Sequence, residues 1–178
     1  NGGKIHLNAP IEKVLKVQQK VVGLSYGGKD RHYSHVISTM PITHLVKSFD
    51  DRPKEVDQAI HQLKFRNTVI VYLKVEEKNL FADQWLYIHD SQLKMGRITN
   101  FRNWVPELYG EESASILALE YWCYNQDPFW TMGDDELIEL AKKELRATQL
   151  IGSAEISDGF ICRVPKCYPV YSQGYRQH

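Results

Sequence analysis

Thr68 to Val75, Thr-Val-Ile-Val-Tyr-Leu-Lys-Val, constrains the fold more than any other stretch. Its residues are β-branched or aromatic almost throughout, and its start is apolar at odd and even positions alike, so both faces need cover. Such a strand belongs inside a sheet rather than at its edge. Ser115 to Tyr124 (Ser-Ile-Leu-Ala-Leu-Glu-Tyr-Trp-Cys-Tyr) makes the same demand. Trp85 to His89 and Gly96 to Arg102 read as further strands, separated by the turn-rich Asp90 to Lys94, and Glu155 to Val164 as the last. A sheet of four or more strands is therefore expected.

Before it, the chain reads as a three-stranded meander. Lys4 to Leu7 and Ile11 to Val17 are extended and broken by Pro10; Val21 to Tyr26 follows a polar turn; Gly27-Gly28-Lys29-Asp30 is a hairpin signal; Arg31 to Ser38 is the third strand. His35-Val36-Ile37-Ser38-Thr39-Met40-Pro41 then turns strand into helix. It delivers small hydroxyl residues to a sheet edge, and strand ends of this kind open onto ligand crevices in α/β proteins. A plain strand-to-helix turn is the competing reading. Pro41 to Phe49 and Pro53 to Leu63 read as helices, the second capped from Asp50-Asp51-Arg52-Pro53. A later helix opens on Asp134-Asp135-Glu136 and closes on Lys142, Lys143 and Arg146, in line with its macrodipole, with Leu137, Ile138, Ala141 and Leu145 as its buried stripe.

These elements predict an α+β fold: a mixed, largely antiparallel sheet with flanking helices on one side, plus the small meander. Basic and acidic residues balance at 22 each with no block of either sign, which counts against electrostatic binding of nucleic acid or membrane surfaces. No apolar run has the length of a bilayer span, and the protein is expected to be cytoplasmic. Cys123, Cys162 and Cys167 match neither a zinc knuckle nor a redox pair, and the seven histidines show no ligand spacing, so no metal site is expected. Both ends stop abruptly, as in a segment of a longer protein.

Chemistry concentrates in two places. Arg97, Asn100, Arg102 and Trp104 crowd one strand and its exit, where Arg97 or Arg102 offers a planar fork to an anionic or carbonyl-bearing group. On a regular strand Arg97 and Asn100 point to opposite faces. Glu120 sits in an otherwise apolar strand beside Tyr121 and needs a partner, either Arg97 or Arg163; an ion pair that sets strand register and a substrate contact are equally open. Ser38 and His35 lie too badly for a nucleophile and base, and no G-x-S-x-G, G-x-G-x-x-G or P-loop occurs.

The run His35 to Pro41, preceded by a Val-Val-Gly strand and a Gly-Gly turn, resembles the middle of FAD-dependent amine oxidases and protoporphyrinogen-oxidase-like flavoproteins. Arg163-Val164-Pro165-Lys166-Cys167-Tyr168-Pro169-Val170-Tyr171 is similar to the segment that returns from the substrate domain in that family. The resemblance implies FAD as cofactor of the parent protein, with Pro10, Ile11, Thr39, Met40 and Pro41 beside it. It assigns residues 1–40 to part of the FAD domain, 41–164 to a substrate-binding domain and 165–178 to the return. Arg97, Asn100, Glu120 and Tyr121 are then the substrate-facing wall, a sheet also similar to that of UDP-galactopyranose mutases. The dinucleotide fingerprint is missing from this stretch, so the segment alone is expected to be inactive and not to hold FAD. Its expected partners are a small-molecule substrate, the rest of its own FAD domain and, through exposed apolar surface, further copies of itself. A nucleotide-sugar mutase and a cofactor-free binding module are the alternatives.

Overall fold

The computed structural model describes residues 2–175. The described residues divide into two compact units, 2–64 with 170–175, and 65–169. The units break later than the strand-to-helix boundary at 40 and 41 expected from the sequence, because the two helices that follow it go with the small sheet.

In the first unit, β1 (Lys13–Val17), β2 (Lys20–Tyr26) and β3 (Lys29–His32) form an antiparallel sheet in chain order. Gly27 and Gly28 both have positive φ, as a two-residue primed hairpin turn requires. Gly23 is needed for another reason: a Cβ there would lie 2.2 Å from the Arg31 carbonyl oxygen across the ladder. The helices α1 (Ile42–Lys47) and α2 (Lys54–Gln62) each start after a proline, Pro41 and Pro53, with no side-chain cap. Asp50 and Asp51 do not cap α2 as expected; they pair with Lys13 at 3.1 Å and Lys16 at 2.7 Å. Val14 N–H donates to Ser48 C=O at 2.9 Å, tying β1 to the end of α1. Two expectations fail here. Lys4 to Leu7 is not a strand, and the third strand stops at His32, so His35 to Thr39 is irregular, exposed chain except for half-buried Val36. The polar His32, Ser34 and His35 leave that stretch with too little apolar alternation to hold a ladder.

The second unit is a five-stranded sheet in the order β5 (Trp85–Tyr87), β6 (Arg97–Asn100), β7 (Ser115–Cys123), β4 (Lys64–Val75), β8 (Ile156–Val170). The pairings of β5 with β6, β6 with β7 and β7 with β4 are antiparallel. Thus β4 and β7 lie inside the sheet, as their two-sided apolar pattern demands. Val69, Val71, Leu73 and Val75 of β4 and Leu117, Leu119, Tyr121 and Cys123 of β7 form one face and are almost wholly buried. Against them pack Leu137, Ala141 and Leu145 of α5 (Asp134–Ala147), with Phe129 of α4 (Pro128–Thr131) beside Tyr121 at 4.9 Å. The helices are not all on that side, however. Phe101 of α3 (Phe101–Trp104) stacks on Tyr72, which belongs to the other face. The fold is α+β, and it leaves one face of the larger sheet largely without helical cover.

Candidate functional site

Strand alternation decides which side chains reach the uncovered face. From β4 they are Ile70, Tyr72 and Lys74, from β7 Ile116, Ala118, Glu120 and Trp122, and from β6 Arg97 and Thr99. Arg97 and Glu120 stand directly opposite in the β6–β7 ladder. Their contact is bidentate, with Nε to Oε1 and Nη2 to Oε2 both at 2.7 Å. The guanidinium also reaches the hydroxyls of Tyr87 and Tyr168, each at 3.4 Å, and lies over the Tyr87 ring. Burial works against the Arg97 charge, but hydrogen bonds to Glu120 and Tyr87 outweigh it, so the side chain stays cationic at any ordinary pH. Trp122 crosses Gly96, where a Cβ would lie 2.1 Å from the indole ring. Opposite Trp122 in the ladder is Thr68, and Trp122 Nε1 and Thr68 Oγ1 both lack a hydrogen-bond partner among the described residues.

The four expected substrate-facing residues therefore separate into two pairs. Arg97 and Glu120 share the open face. Asn100 and Tyr121 belong to the opposite, helix-covered face, exposed to 0% and 2%. Asn100 Oδ1 accepts Arg102 N–H at 3.1 Å and starts α3. Burial, then the nearby Glu144 carboxylate, push the Tyr121 phenol far above the usual tyrosine range. Arg102, the second candidate fork, is committed inside the protein: Nε donates to Ser115 Oγ at 3.2 Å, Nη2 to the carbonyls of Glu112 and Ala114, and the guanidinium lies over Tyr109. Arg163, the other possible partner for Glu120, pairs instead with Asp134 at 2.6 Å.

Sequence reasoning passed over a hollow on this same face. A cavity of about 520 Å³ is lined by Lys74, Phe101, Leu108, Tyr109, Glu112, Ala114 and Ile116, and a smaller one of about 190 Å³ shares Lys74 and Ile116. Its signal was the apolar character of the second faces of β4 and β7, which only the short α3 touches among the described helices.

The five residues expected beside FAD lie in the first unit. Pro10 and Ile11 precede β1, Thr39 is exposed, Met40 is half-buried and Pro41 starts α1. In this unit the Gly27-Gly28 turn joins two strands rather than a strand and a helix, and α1 and α2 follow Pro41 and Pro53. Among the described residues no cluster of His, Cys, Asp and Glu could hold a metal ion, and no helix is long and apolar enough to cross a membrane.

Residues 1–164 match the family model of flavin-containing amine oxidoreductases. The chain belongs to this family. Solved structures repeat the fold. Reduced UDP-galactopyranose mutase superposes with a TM-score of 0.68 at 20% identity, over 87% of this chain and 34% of that one. An oxidoreductase from Methanosarcina mazei gives 0.55 at 16% identity, over 90% and 38%. A protoporphyrinogen oxidase-like protein from Exiguobacterium sp. 255-15 gives 0.56 at 15%, over 93% and 36%. The chain thus spans little more than a third of each. No curated protein matches it.

Proposed function

We propose that this chain is the substrate-binding portion of an FAD-dependent oxidoreductase of the amine oxidase and protoporphyrinogen oxidase type. The observation that carries the reading is the sheet with one face packed by α5 and the other open, bearing a fixed ion pair, in a chain of the flavin amine oxidoreductase family. Bound flavin supplies a two-electron acceptor for a hydride from a C–N or C–C bond. The residues of this chain contribute position. Arg97 and Glu120, with Tyr87 and Tyr168 at their border, form a rigid polar station at which a substrate group is oriented. Asn100 and Tyr121 act from behind, by holding the strands that carry that station. Pro10, Ile11 and Thr39 to Pro41 border the cofactor without carrying its diphosphate. The chain alone is therefore inactive.

A nucleotide-sugar mutase is the weaker reading. It asks Arg97 to bind a diphosphate, whereas Glu120 already takes the Nε and Nη2 edge of its guanidinium and Nη1 lies 3.4 Å from the Tyr87 hydroxyl. A cofactor-free binding module is disfavoured by membership of a flavin family.

The test is an absorption spectrum of the complete protein that carries this chain, beside one of residues 1–178 incubated with FAD and desalted. Flavin bands in the first and none in the second are expected. Absence from both overturns the oxidoreductase reading; flavin retained by residues 1–178 overturns the placement of the diphosphate site outside them.

A further inference from the structure

The two hollows of the open face are continuous in composition. They share Lys74 and Ile116, and between them run three nearly parallel rings: Phe160 against Tyr72 at 4.6 Å and 7°, then Tyr72 against Phe101 at 6.1 Å and 16°. Leu108, 74% exposed, forms the lip of the larger one. Tyr109 is a firm wall, because its hydroxyl accepts Ile116 N–H at 3.2 Å and its ring covers Arg102. The larger hollow alone is within the range of small-molecule sites, about 300–1,000 Å³. Along β7, Ile116 stands about 13 Å from Glu120, four residues away at the ordinary rise of a strand. A ligand reaching both must be long.

Charge at the border is one-sided. Lys74 is paired with Glu76 at 3.1 Å and is the one cation among the lining residues, against the carboxylates of Glu112 and Asp158. The remaining cation, Arg102, lies behind Tyr109 with its donors turned to Ser115, Glu112 and Ala114. We infer that the trough formed by Tyr72, Phe101, Leu108, Tyr109, Ile116 and Phe160 takes an uncharged, flat apolar ligand or ligand portion, and that its carboxylate border turns anions away. This deepens the substrate-facing reading of the sheet and rests on it. Parallel rings set the plane in which a flat ligand stacks, and Lys74, the one cation among the lining residues, is paired with Glu76 and outnumbered by the carboxylates of Glu112 and Asp158, which leaves a phosphate or carboxylate poorly held.

Two fluorescent probes with one skeleton test it: neutral N-phenyl-1-naphthylamine and its sulfonated relative 1-anilinonaphthalene-8-sulfonate, titrated into the complete protein. The neutral probe is expected to bind saturably and about tenfold more tightly than the sulfonate. Leu108→Arg, at an exposed position where folding is indifferent, weakens the neutral probe about tenfold. Glu112→Lys, also exposed, leaves the neutral probe unchanged and tightens the sulfonate several-fold. Equal binding of both probes, no saturable binding, or indifference to Leu108→Arg overturns the inference. Flavin absorbance read on the same samples separates the two claims. Probe binding without flavin keeps the trough and removes the oxidoreductase; flavin without probe binding does the reverse.

Discussion

Arg97 and Glu120 show how one residue pair can be structural and functional at once. Their side chains are 25% and 10% exposed, so each charge is partly desolvated and depends on the other. Removing Arg97 leaves a carboxylate without its fork. Arg97→Met is expected to cost roughly 1–3 kcal/mol in stability, and Glu120→Gln less, since an amide keeps an acceptor. A double-mutant cycle by urea denaturation should return a coupling well above that of a surface pair; a coupling near zero would show the pair to be solvated. Tyr121 gives a pH prediction. The folded state holds its proton far more tightly than the unfolded chain, so the unfolded chain ionises first once pH passes the usual tyrosine value near 10. The Tyr121 contribution is fully present below that pH and is lost above it. Tyr121→Phe should change stability little at pH 7 and flatten the fall in melting temperature between pH 9 and 11. The sequence marked Arg97, Glu120 and Tyr121, but not that Trp122 crosses Gly96, because nothing local announces that a glycine is needed for a ring on the neighbouring strand.

At the scale of elements, α5 was the most legible. Its acidic start, basic end and stripe at Leu137, Ala141 and Leu145 appear as read. Glu144 was not foreseen. It lies on the buried side, 5% exposed, and its carboxylate accepts Lys94 N–H at 2.8 Å and Met95 N–H at 3.1 Å, clamping α5 to the chain that enters β6. A charged residue on an apolar stripe is the trace of this contact in the sequence. Glu144→Ala should lower stability by roughly 1–3 kcal/mol, chiefly through the orphaned buried amide of Met95, with Glu144→Gln intermediate. Amide exchange at Lys94 and Met95 should rise in the same order, and unchanged protection there would remove the clamp from the account. The third strand of the meander failed for an opposite reason: Val36 and Ile37 favour a strand by type, but the β2–β3 register continued to them falls opposite Gln19 and Gln18, in the turn before β2, where no strand partner exists.

For the molecule as a whole, composition has one direct consequence. With 22 basic and 22 acidic residues the chain has no net charge to keep copies apart near neutral pH. It also exposes Ile5 (88%), Leu7 (82%) and Ile37 (92%). Residues 1–178 by themselves should associate with rising concentration at pH 7 and disperse when the pH is moved to either side, as read by sedimentation velocity; a monomer at every concentration would show that these side chains find cover within the chain. Fold class, the interior strands of the larger sheet and the family were legible in the sequence, since each rests on local periodicity or on a pattern of residue types along the chain. Thr68 to Val75 had to be an interior strand and Asp134 to Arg146 a helix, whatever surrounded them. Only the tertiary structure decided that Arg97 faces Glu120 rather than Arg163 doing so, that Asn100 and Tyr121 turn inward while Arg102 is spent on three internal acceptors, and that α5 covers one face of the sheet and leaves the other open. Those outcomes depend on strand order and register, which bring together residues 10 or more positions apart and which no local preference encodes.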